Sequence, residues 1–412
     1  MKVKFCKNCL YSEHHPLGIE FNDDGLCSGC LIHKEKYTLD WNYRFDRLKK
    51  LVSRYKSKKK NYDCIVPVTG SGDSYYIVHI VKNILKMKPL LVTYNKYYNS
   101  GLGIRNLANL RIKFNLDIHF KNVNIETVKK ITRSTLKTFG SIYWHCIAGQ
   151  TVFPVQMARD FKIPLIFWGA HQGLEQVGMF SHKHEVEMTR RYRKEHDLMG
   201  YEAEDLLNSN NELHHDDIYN YLYPEFSDIN NIGIRGLYLG NYIKWDVKKQ
   251  HEKMISLYNY KTCNFSKTMD KYDHTDCAVY MFLHDKLKLY KHGFSKITDQ
   301  LSREIRFKRI SRNNAIRLLK KHEAKENKKI DKLFCNWLGI EEDSLDFVLK
   351  NHINQKFWKR KNLIQYTPNL LSGYLSKEIN NKTKSFNKLK YINNSKLLDK
   401  NQKNFIFFGK GI

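Results

Sequence analysis

A short polar stretch follows directly after an apolar run, and it consists of Thr69, Gly70, Ser71, Gly72, Asp73 and Ser74. Backbone N–H groups of a glycine-bearing turn at a helix start point the same way, and hydroxyls add donors, so such a loop suits a phosphate group. Asp73 suits a Mg²⁺ ligand or a negative charge at the helix N-terminus. The same residues also suit an ordinary helix start that Asp73 or Ser74 caps.

Four of the nine cysteines form two matched pairs, Cys6-x2-Cys9 and Cys27-x2-Cys30. Each pair lets one turn present two thiolates to the same ion, and the spacing falls within the range of four-cysteine zinc sites. Four thiolates complete a tetrahedral zinc, so we expect a structural ion without an open catalytic position. The segment between the pairs has little that could build a core, so the ion would supply folding free energy.

The chain has 412 residues, of which 42% are hydrophobic and 13% aromatic, as in ordinary globular proteins. No apolar run reaches 18 residues and the start lacks the core of a signal peptide, so we expect a cytoplasmic protein without a membrane partner. The net charge of +29 suits a polyanion such as RNA, or a general lysine bias. The lysines are spread along the whole chain, which favours the bias over nucleic-acid binding.

Alternating apolar runs and helical patterns follow residue 60. Strands are predicted at 62–68, 90–94, 118–123 and 163–168, and helices at 77–85, 103–114, 125–139 and 144–161. This rhythm predicts an α/β fold with a parallel sheet and helices on both faces. Past about residue 180 the pattern is mainly helical and strongly charged.

Polar segments lie at the carboxyl ends of three predicted strands, where ligands of parallel sheets bind. After the Thr69–Ser74 loop come Thr93, Tyr94 and Asn95, and then Gly169 and His171 in the stretch WGAHQG. We expect the three segments to converge on one nucleotide site. His171 would handle a proton or contact substrate there, or serve as a structural, hydrogen-bonded histidine.

The loop resembles the SGGxDS pyrophosphate-binding loop of the PP-loop ATP pyrophosphatases. Gly70, Asp73 and Ser74 match that pattern, whereas its first serine, second glycine and frequent lysine are replaced by Thr69, Ser71 and Gly72. The resemblance implies that the protein binds ATP with Mg²⁺ and releases pyrophosphate while it adenylates a substrate oxygen. The missing lysine means that a basic contact to the phosphates must come from elsewhere.

Within that superfamily, the chain from the cysteine pairs to about residue 325 is similar to the N-acetyl sugar amidotransferases, which make acetamidino sugars for O-antigens and flagellar glycans. The similarity is carried in order by VPVTGSGDS, LLVTYN, GIRNLANLR, HCIAGQTVFPVQ, WGAHQG, VGMFSHKHEVEMTRRYRKEHDLMG, GIRGLYLGNYIKWD, YDHTDC and TDQLSREIRFKR. It implies that ammonia replaces the acetamido oxygen of a sugar or nucleotide sugar. It also implies two partners that deliver ammonia, a glutaminase and a cyclase-like subunit.

Arg303 and Arg306 are candidates for the charge that the loop lacks, with Asp299 and Glu304 as orienting or metal carboxylates. The same segment also suits a salt-bridged helix surface in solvent. Candidates for contacts with the sugar substrate are Asp246, His274, Asp276 and Asp299.

We therefore predict a zinc ribbon at 1–40, a basic helical connector at 41–60 and an ATP-binding α/β domain at 61–235. A helical substrate or partner region follows at 236–325, and a helical Lys/Asn-rich extension at 326–412. One alternative is a tRNA thiolase of the same superfamily, although only the lone Cys64 and Cys146 could carry sulfur near the nucleotide. The other is a non-catalytic zinc-ribbon RNA-binding protein with a degenerate loop, which the missing glycine and lysine favour.

Overall fold

The computed structural model describes residues 3–57, 61–209, 212–265, 268–273, 275–322, 327–369, 373–375 and 377–380. The helices in this part of the chain are α1 (Ser28–Glu35), α2 (Trp41–Ser53), α3 (Gly72–Val78), α4 (Gly101–Phe114), α5 (Ile125–Phe139), α6 (Trp144–Asp160), α7 (Arg190–Tyr192), α8 (Ala203–Ser209), α9 (His215–Ile218), α10 (Phe226–Ile232), α11 (Val247–Tyr258), α12 (Ala278–His292), α13 (Lys296–Arg306), α14 (Arg312–His322), α15 (Lys328–Leu338) and α16 (Glu342–Asn351). The strands are β1 (Cys64–Pro67), β2 (Pro89–Tyr94), β3 (Ile118–Lys121), β4 (Leu165–Trp168), β5 (Arg235–Tyr238), β6 (Trp358–Arg360), β7 (Gln365–Pro368) and β8 (Ile379–Asn380). Wider π-helical turns occupy His79–Ile84, Gly173–Val177 and Arg193–Asp197, and 3-10 turns occupy His182–His184, Tyr219–Tyr221 and Leu239–Asn241.

The first five strands form one sheet in the order β3-β2-β1-β4-β5, and every pairing is parallel. The chain builds β2 and β3 on one side of β1 and then returns to the other side for β4 and β5. The strand order therefore reverses between β1 and β4, where the connections diverge and leave a crevice at the carboxyl ends. The predicted α/β fold with a parallel sheet is confirmed.

Both faces of the sheet are covered, because successive side chains of a strand point to opposite sides. Ile65 and Leu90 pack in a cluster with Phe153 and Ala158 of α6. The alternate residues of the strands pack on the other face against α3, α4 and α11, and they include Val66, Leu91 and Phe167. The near-continuous apolar strands of the sequence reflect this double burial.

Side-chain caps and left-handed residues set the ends of the helices beside the sheet. The Ser100 side chain accepts a hydrogen bond from the Gly103 N–H at the start of α4, and Asn115 ends that helix in the left-handed conformation. Asn124 caps α5 in the same way, and Gly140 ends it with φ of 62°. The positions of α4, α5 and α6 agree with the predicted helices to within two residues.

Two features of the sheets differ from the sequence-based expectation. The strand β5 was not predicted, because it has only four residues and lies in a stretch where aromatic and polar residues alternate with glycine. The region 326–412 was expected to be helical, yet after α15 and α16 it contains the antiparallel sheet β6-β7-β8. Residues 381–412 lie outside the described part of the chain.

The N-terminal segment packs on the α/β body and does not extend away from it. Its cysteines form a small core with Tyr11, Ile19 and Val177, and Leu10 packs against α13 and α14. The N-terminal segment therefore contacts both α13 and the turn after β4. In the described residues, no helix has both the length and the apolar character needed to cross a bilayer.

Candidate active site at the carboxyl edge of the sheet

The Thr69–Ser74 loop leaves β1 at the point where the strand order reverses. The Thr69 N–H donates to Ser74 Oγ (2.8 Å), and the Thr69 hydroxyl donates to Ser71 Oγ (3.0 Å). The Ser71 N–H in turn donates to Thr69 Oγ1 (3.2 Å). These bonds close the loop into a tight turn, in which Thr69, Ser71 and Asp73 remain half-buried and Ser74 is buried.

Glycine at position 70 allows the loop to touch the start of α4. A Cβ on Gly70 would lie 2.0 Å from the backbone oxygen of Gly103, and a Cβ on Gly103 would lie 2.5 Å from the Cα of Asp276. Asn106 Nδ2 also donates to the Gly70 carbonyl (3.3 Å). Three backbone segments are thus stacked at van der Waals distance, and a larger residue at either glycine would force them apart.

A cavity of about 150 Å³ opens beside the loop, between the carboxyl ends of β1, β2 and β4. Its lining consists of Pro67, Val68, Thr69, Ile77, Val92, Tyr94, Gln150, Phe153, Pro154, Trp168 and Gly169. The walls are mainly apolar or aromatic, and Gln150 and Thr69 add polar groups. Pockets for whole small ligands are typically about 300–1,000 Å³, so this one suits a flat ring system whose polar remainder lies outside it.

Of the residues predicted at the end of β2, one lines the cavity and the other two are structural neighbours of it. Tyr94 lines the cavity, and its hydroxyl lies 2.7 Å from the hydroxyl of Tyr221. Thr93 is buried within β2. Asn95 braces the following turn, because its Nδ2 donates to Asn122 Oδ1 (2.9 Å) and its Oδ1 accepts from the Tyr97 N–H (3.0 Å).

His251 of α11 contacts the loop, although nothing in the sequence pointed to it. Its Nε2 lies 3.0 Å from Asp73 Oδ1, and a Cβ on Gly72 would lie 2.7 Å from its Cδ2. Burial lowers the pKa of His251, but the hydrogen bond to Asp73 and the charges of Asp73 and Asp273 outweigh it, so the pKa is raised. A protonatable ring therefore lies beside a loop that has no lysine.

Arg303 lies in an ion-pair network and not free beside the loop. Its guanidinium N–H groups donate to Asp270 Oδ2 (3.2 Å), Asp273 Oδ2 (3.4 Å) and Glu304 Oε1 (3.3 Å). Three carboxylates thus accept hydrogen bonds from the guanidinium, as in the salt-bridged alternative. The network is largely buried, however, since the Arg303 side chain is 25% exposed.

Arg306 lies at the cysteine cluster. Its Nε donates to Cys30 Sγ (3.4 Å), and its Nη2 lies 3.8 Å from Cys9 Sγ and 3.7 Å from Cys27 Sγ. Its Nη1 donates to two backbone carbonyls, those of Glu175 (3.1 Å) and Gln176 (2.8 Å). A guanidinium has five N–H groups. All five have acceptors here, so none remains for the phosphate contact that the sequence suggested.

The four N-terminal cysteines are buried and meet at one point, with their sulfurs within 4.8 Å of one another. The Sγ atoms of Cys6 and Cys30 are 3.8 Å apart, and those of Cys9 and Cys27 are 3.5 Å apart. Zinc–sulfur bonds of about 2.3 Å in a tetrahedron place sulfurs about 3.8 Å apart. The residues therefore fit a tetrahedral metal ion, and the cluster could bind one.

Asp299 joins the N-terminal segment to the stretch after β4. It accepts from the Tyr11 hydroxyl (2.8 Å) and from Gln176 Nε2 (2.7 Å), and it pairs with Lys288. Burial raises the pKa of Asp299, but Lys288 and Lys296 outweigh burial and lower it. Its contacts place this carboxylate in the scaffold around α13.

The other predicted substrate contacts also have partners within the chain. Asp246 caps the start of α11 and pairs with Arg309. Asp276 pairs with Lys96, and both side chains are buried. His274 lies outside the described residues. The substrate roles assigned to these positions stay predictions.

His171 follows β4 and is buried among rings. The centroids of Tyr238, His196, Phe180 and Tyr192 lie 5.0, 5.3, 5.4 and 6.0 Å from its own. Burial and the nearby His196 lower the pKa of His171 to about 4, so its ring is neutral near pH 7. The Leu174 N–H points at its Nδ1 (3.4 Å), as the structural alternative expects.

Residues 266–371, about a quarter of the chain, match the family model "LPS biosynthesis protein WbpG-like, C-terminal domain". This segment contains α12 to α16 and therefore both Arg303 and Arg306. The chain is also similar to the uncharacterized protein MJ1599 of Methanocaldococcus jannaschii, with 26% identity over 121 residues. That match covers 28% of this chain and 42% of the relative, so the chain spans less than half of the relative's length.

Among solved structures, the chain is similar to the NH3-dependent NAD synthetase from Campylobacter jejuni, solved in complex with the nitrate ion. The match has 12% sequence identity and a TM-score of 0.28, and it covers 55% of this chain and 99% of the synthetase. Values this low establish neither a common fold nor a common function. The chemistry of the site therefore follows from the residues of this chain.

Proposed function

We propose that this protein is an ATP-dependent amidotransferase that replaces the acetamido oxygen of an N-acetylated sugar, free or nucleotide-linked, with ammonia. The observation that carries the proposal is the placement of the hydroxyl-rich Thr69–Ser74 loop beside an apolar cavity, where the order of a parallel sheet reverses. Nucleotides bind at such points. The match of residues 266–371 to a lipopolysaccharide-biosynthesis family supports a sugar as the second substrate.

In the proposed complex the adenine ring occupies the cavity and the triphosphate follows the loop. The hydroxyls of Thr69 and Ser71 would exchange their bonds within the loop for bonds to the phosphates and so orient the triphosphate. The Asp73 carboxylate, whose side chain is 38% exposed, would ligate Mg²⁺, and the ion would neutralise charge on the departing pyrophosphate. The cysteine cluster would hold a structural zinc, and no protein ligand would leave it for catalysis.

The reaction needs two steps because an amide carbon resists ammonia and oxide is a poor leaving group. The acetamido oxygen first attacks the α-phosphorus, the bond from that phosphorus to the β-phosphate oxygen breaks, and the amide N–H proton is lost to solvent. An O-adenylyl imidate and pyrophosphate result. Ammonia then adds to the imidate carbon, AMP leaves with the former amide oxygen, and loss of a proton gives the amidine. The ammonia would come from a glutaminase and a cyclase-like partner in the cytoplasm.

The test is to incubate the protein with ATP, Mg²⁺, ammonium and acetamido sugars whose acetyl oxygen carries a heavy isotope. The expected products are pyrophosphate, labelled AMP and a sugar in which NH has replaced O, all resolved by mass spectrometry. Asp73→Asn, which keeps the shape of the side chain and removes its charge, is the matched variant and should lose turnover. Label in inorganic phosphate, or no nucleotide turnover with any acetamido sugar, would refute the proposal.

The tRNA thiolase alternative has less support, because the cysteines it would need are inaccessible. Cys64 and Cys146 are fully buried, and burial raises the pKa of both thiols. The thiolate is the reactive form. ATP-dependent sulfur transfer to tRNA that is lost in Cys64→Ala or Cys146→Ala would reinstate this alternative. Salt-sensitive RNA binding without turnover would favour the RNA-binding protein.

A further inference from the structure

His251 lies outside the loop and contacts its Asp73 side chain directly. It comes from α11, and its Nε2 lies 3.0 Å from Asp73 Oδ1. The His251 side chain is 3% exposed, whereas the Asp73 side chain is 38% exposed. One end of the ion pair is thus fixed in the core, and the other reaches the open edge of the sheet.

The position of the His251 ring is fixed from several sides. Gly72 provides the space for it, and the rings of Tyr260 and Tyr272 lie 5.8 and 5.9 Å away. A buried ring held in this way has few alternative rotamers, so it can hold a flexible carboxylate in one orientation.

Among the described residues, the second ring nitrogen of His251 makes no hydrogen bond that would fix the ring elsewhere. Nδ1 is buried and has no hydrogen-bond partner in the described part of the chain. An unsatisfied buried polar atom costs stability, and an apolar side chain of similar size would avoid that cost. The hydrogen bond that the ring makes within the residues that the structure describes is the one between Nε2 and Asp73.

We propose that His251 is a positioning residue that holds the Asp73 carboxylate for a Mg²⁺–polyphosphate at the loop. This inference rests on the proposed function. Nε2–H donates to one oxygen of Asp73, which leaves the other directed to the open edge as a metal ligand. Outer-shell partners of this kind orient metal-binding carboxylates and tune their affinity.

The test measures Mg²⁺–pyrophosphate binding by calorimetry, with the full-length chain, so no turnover is needed. His251→Ala removes the donor and should weaken binding roughly 10-fold, as outer-shell changes typically do. His251→Gln places an N–H near the position of Nε2 and should restore binding to within about threefold, because it still donates to Asp73. A purely structural role would not predict this rescue.

His79→Ala is the matched control, because His79 is also buried and also joins this helical segment to α11. Its Nδ1 lies 2.7 Å from the hydroxyl of Tyr258, and it makes no contact with Asp73 in the described structure. The His79→Ala variant should bind Mg²⁺–pyrophosphate with the binding constant of the wild type. The effects of His251→Ala and Asp73→Asn should also fail to add in the double variant.

The possible failures are distinguishable. If the wild type binds Mg²⁺–pyrophosphate and His251→Ala binds it equally well, the inference is wrong and the proposed function stands. If His251→Gln is as weak as His251→Ala, the inference is also wrong, because the hydrogen bond is not what matters. If the wild type binds neither Mg²⁺–pyrophosphate nor Mg²⁺–ATP, the proposed function itself fails.

Discussion

The cysteine cluster and the Thr69–Ser74 loop are both short polar segments packed against helices, yet their polar groups are used in opposite ways. At the cluster, four buried sulfurs face a guanidinium whose five N–H groups all have acceptors. At the loop, hydroxyls bond to one another, Asp73 is partly exposed and a cavity lies alongside. The polar groups of the closed region are buried with their partners, whereas those of the open region are partly exposed beside a cavity that a ligand can enter.

The largest effect should follow from removing one cysteine of the cluster. Structural zinc in small peptides contributes about 10–16 kcal/mol of apparent binding free energy, so Cys9→Ser should abolish tight metal binding and unfold the N-terminal segment. Metal analysis and thermal unfolding measure the two effects. Cys263→Ser changes a half-buried cysteine outside the cluster and should alter neither. A Cys9→Ser protein with full metal content would contradict the closed-site interpretation.

The next largest effect concerns the guanidinium at the cluster. Removing one partner of a buried charge contact typically costs about 3–5 kcal/mol, so Arg306→Ala should lower the free energy of unfolding by that amount. Arg306→Lys keeps the charge but loses the planar fork, and it should recover only part of the loss. Arg317→Lys, on an exposed position, serves as the control. An unchanged unfolding free energy with a weaker affinity for ATP would return Arg306 to the phosphate role.

A smaller effect, measured on the reaction, is expected at the open region. Gly70→Ala places a Cβ 2.0 Å from the Gly103 oxygen, so the loop must move. A displacement of about 1 Å can cost about 100-fold in rate, and we expect pyrophosphate release to fall by that factor. Gly240→Ala is the control, because its nearest neighbour would be the Ala170 Cβ at 3.2 Å. Equal rates in the two variants would show that the loop does not carry the reaction.

The smallest effect is a pH dependence at His171. Its pKa is lowered from 6.5 to about 4, so between these values the unfolded state binds more protons than the folded state. Stability should therefore fall as the pH is lowered through this window, by at most about 1.4 kcal/mol per pH unit. His171→Asn removes the contribution of this ring and should make the slope shallower, whereas His184→Asn, at an exposed position, should leave the slope unchanged. Denaturant unfolding at several pH values measures it, and identical slopes in wild type and His171→Asn would refute it.

The sequence identified the features that depend on local pattern. Apolar runs located β1 to β4, and the Cys-x2-Cys spacing located the cluster, because both signals lie within a few neighbouring residues. The strand β5 was not predicted, because four residues that include a glycine give too short an apolar pattern. The antiparallel strands β6 to β8 were not predicted for the same reason, since they have two to four residues each.

Contacts between distant segments could not be predicted from one sequence. His251 reaches Asp73 across 178 positions, and Arg306 reaches Cys27 across 279. Arg303 and Arg306 looked equivalent in the sequence, because residues three apart lie on the same face of a helix, yet they lie almost one turn apart along its axis and meet different segments. Arg303 therefore lies in an ion-pair network, and Arg306 lies at the cysteines.

The placement of α13 has a consequence for the order in which the protein matures. Leu10 and Cys9 reach the ribosome exit early, but their partners Ser302 and Arg306 lie 292 and 297 positions later. The thiols of the N-terminal segment are therefore exposed, to a metal ion or to oxidants, long before the helix that covers them has been translated. A metal ion that occupies the cluster would be bound most readily during synthesis, before α13 packs over it.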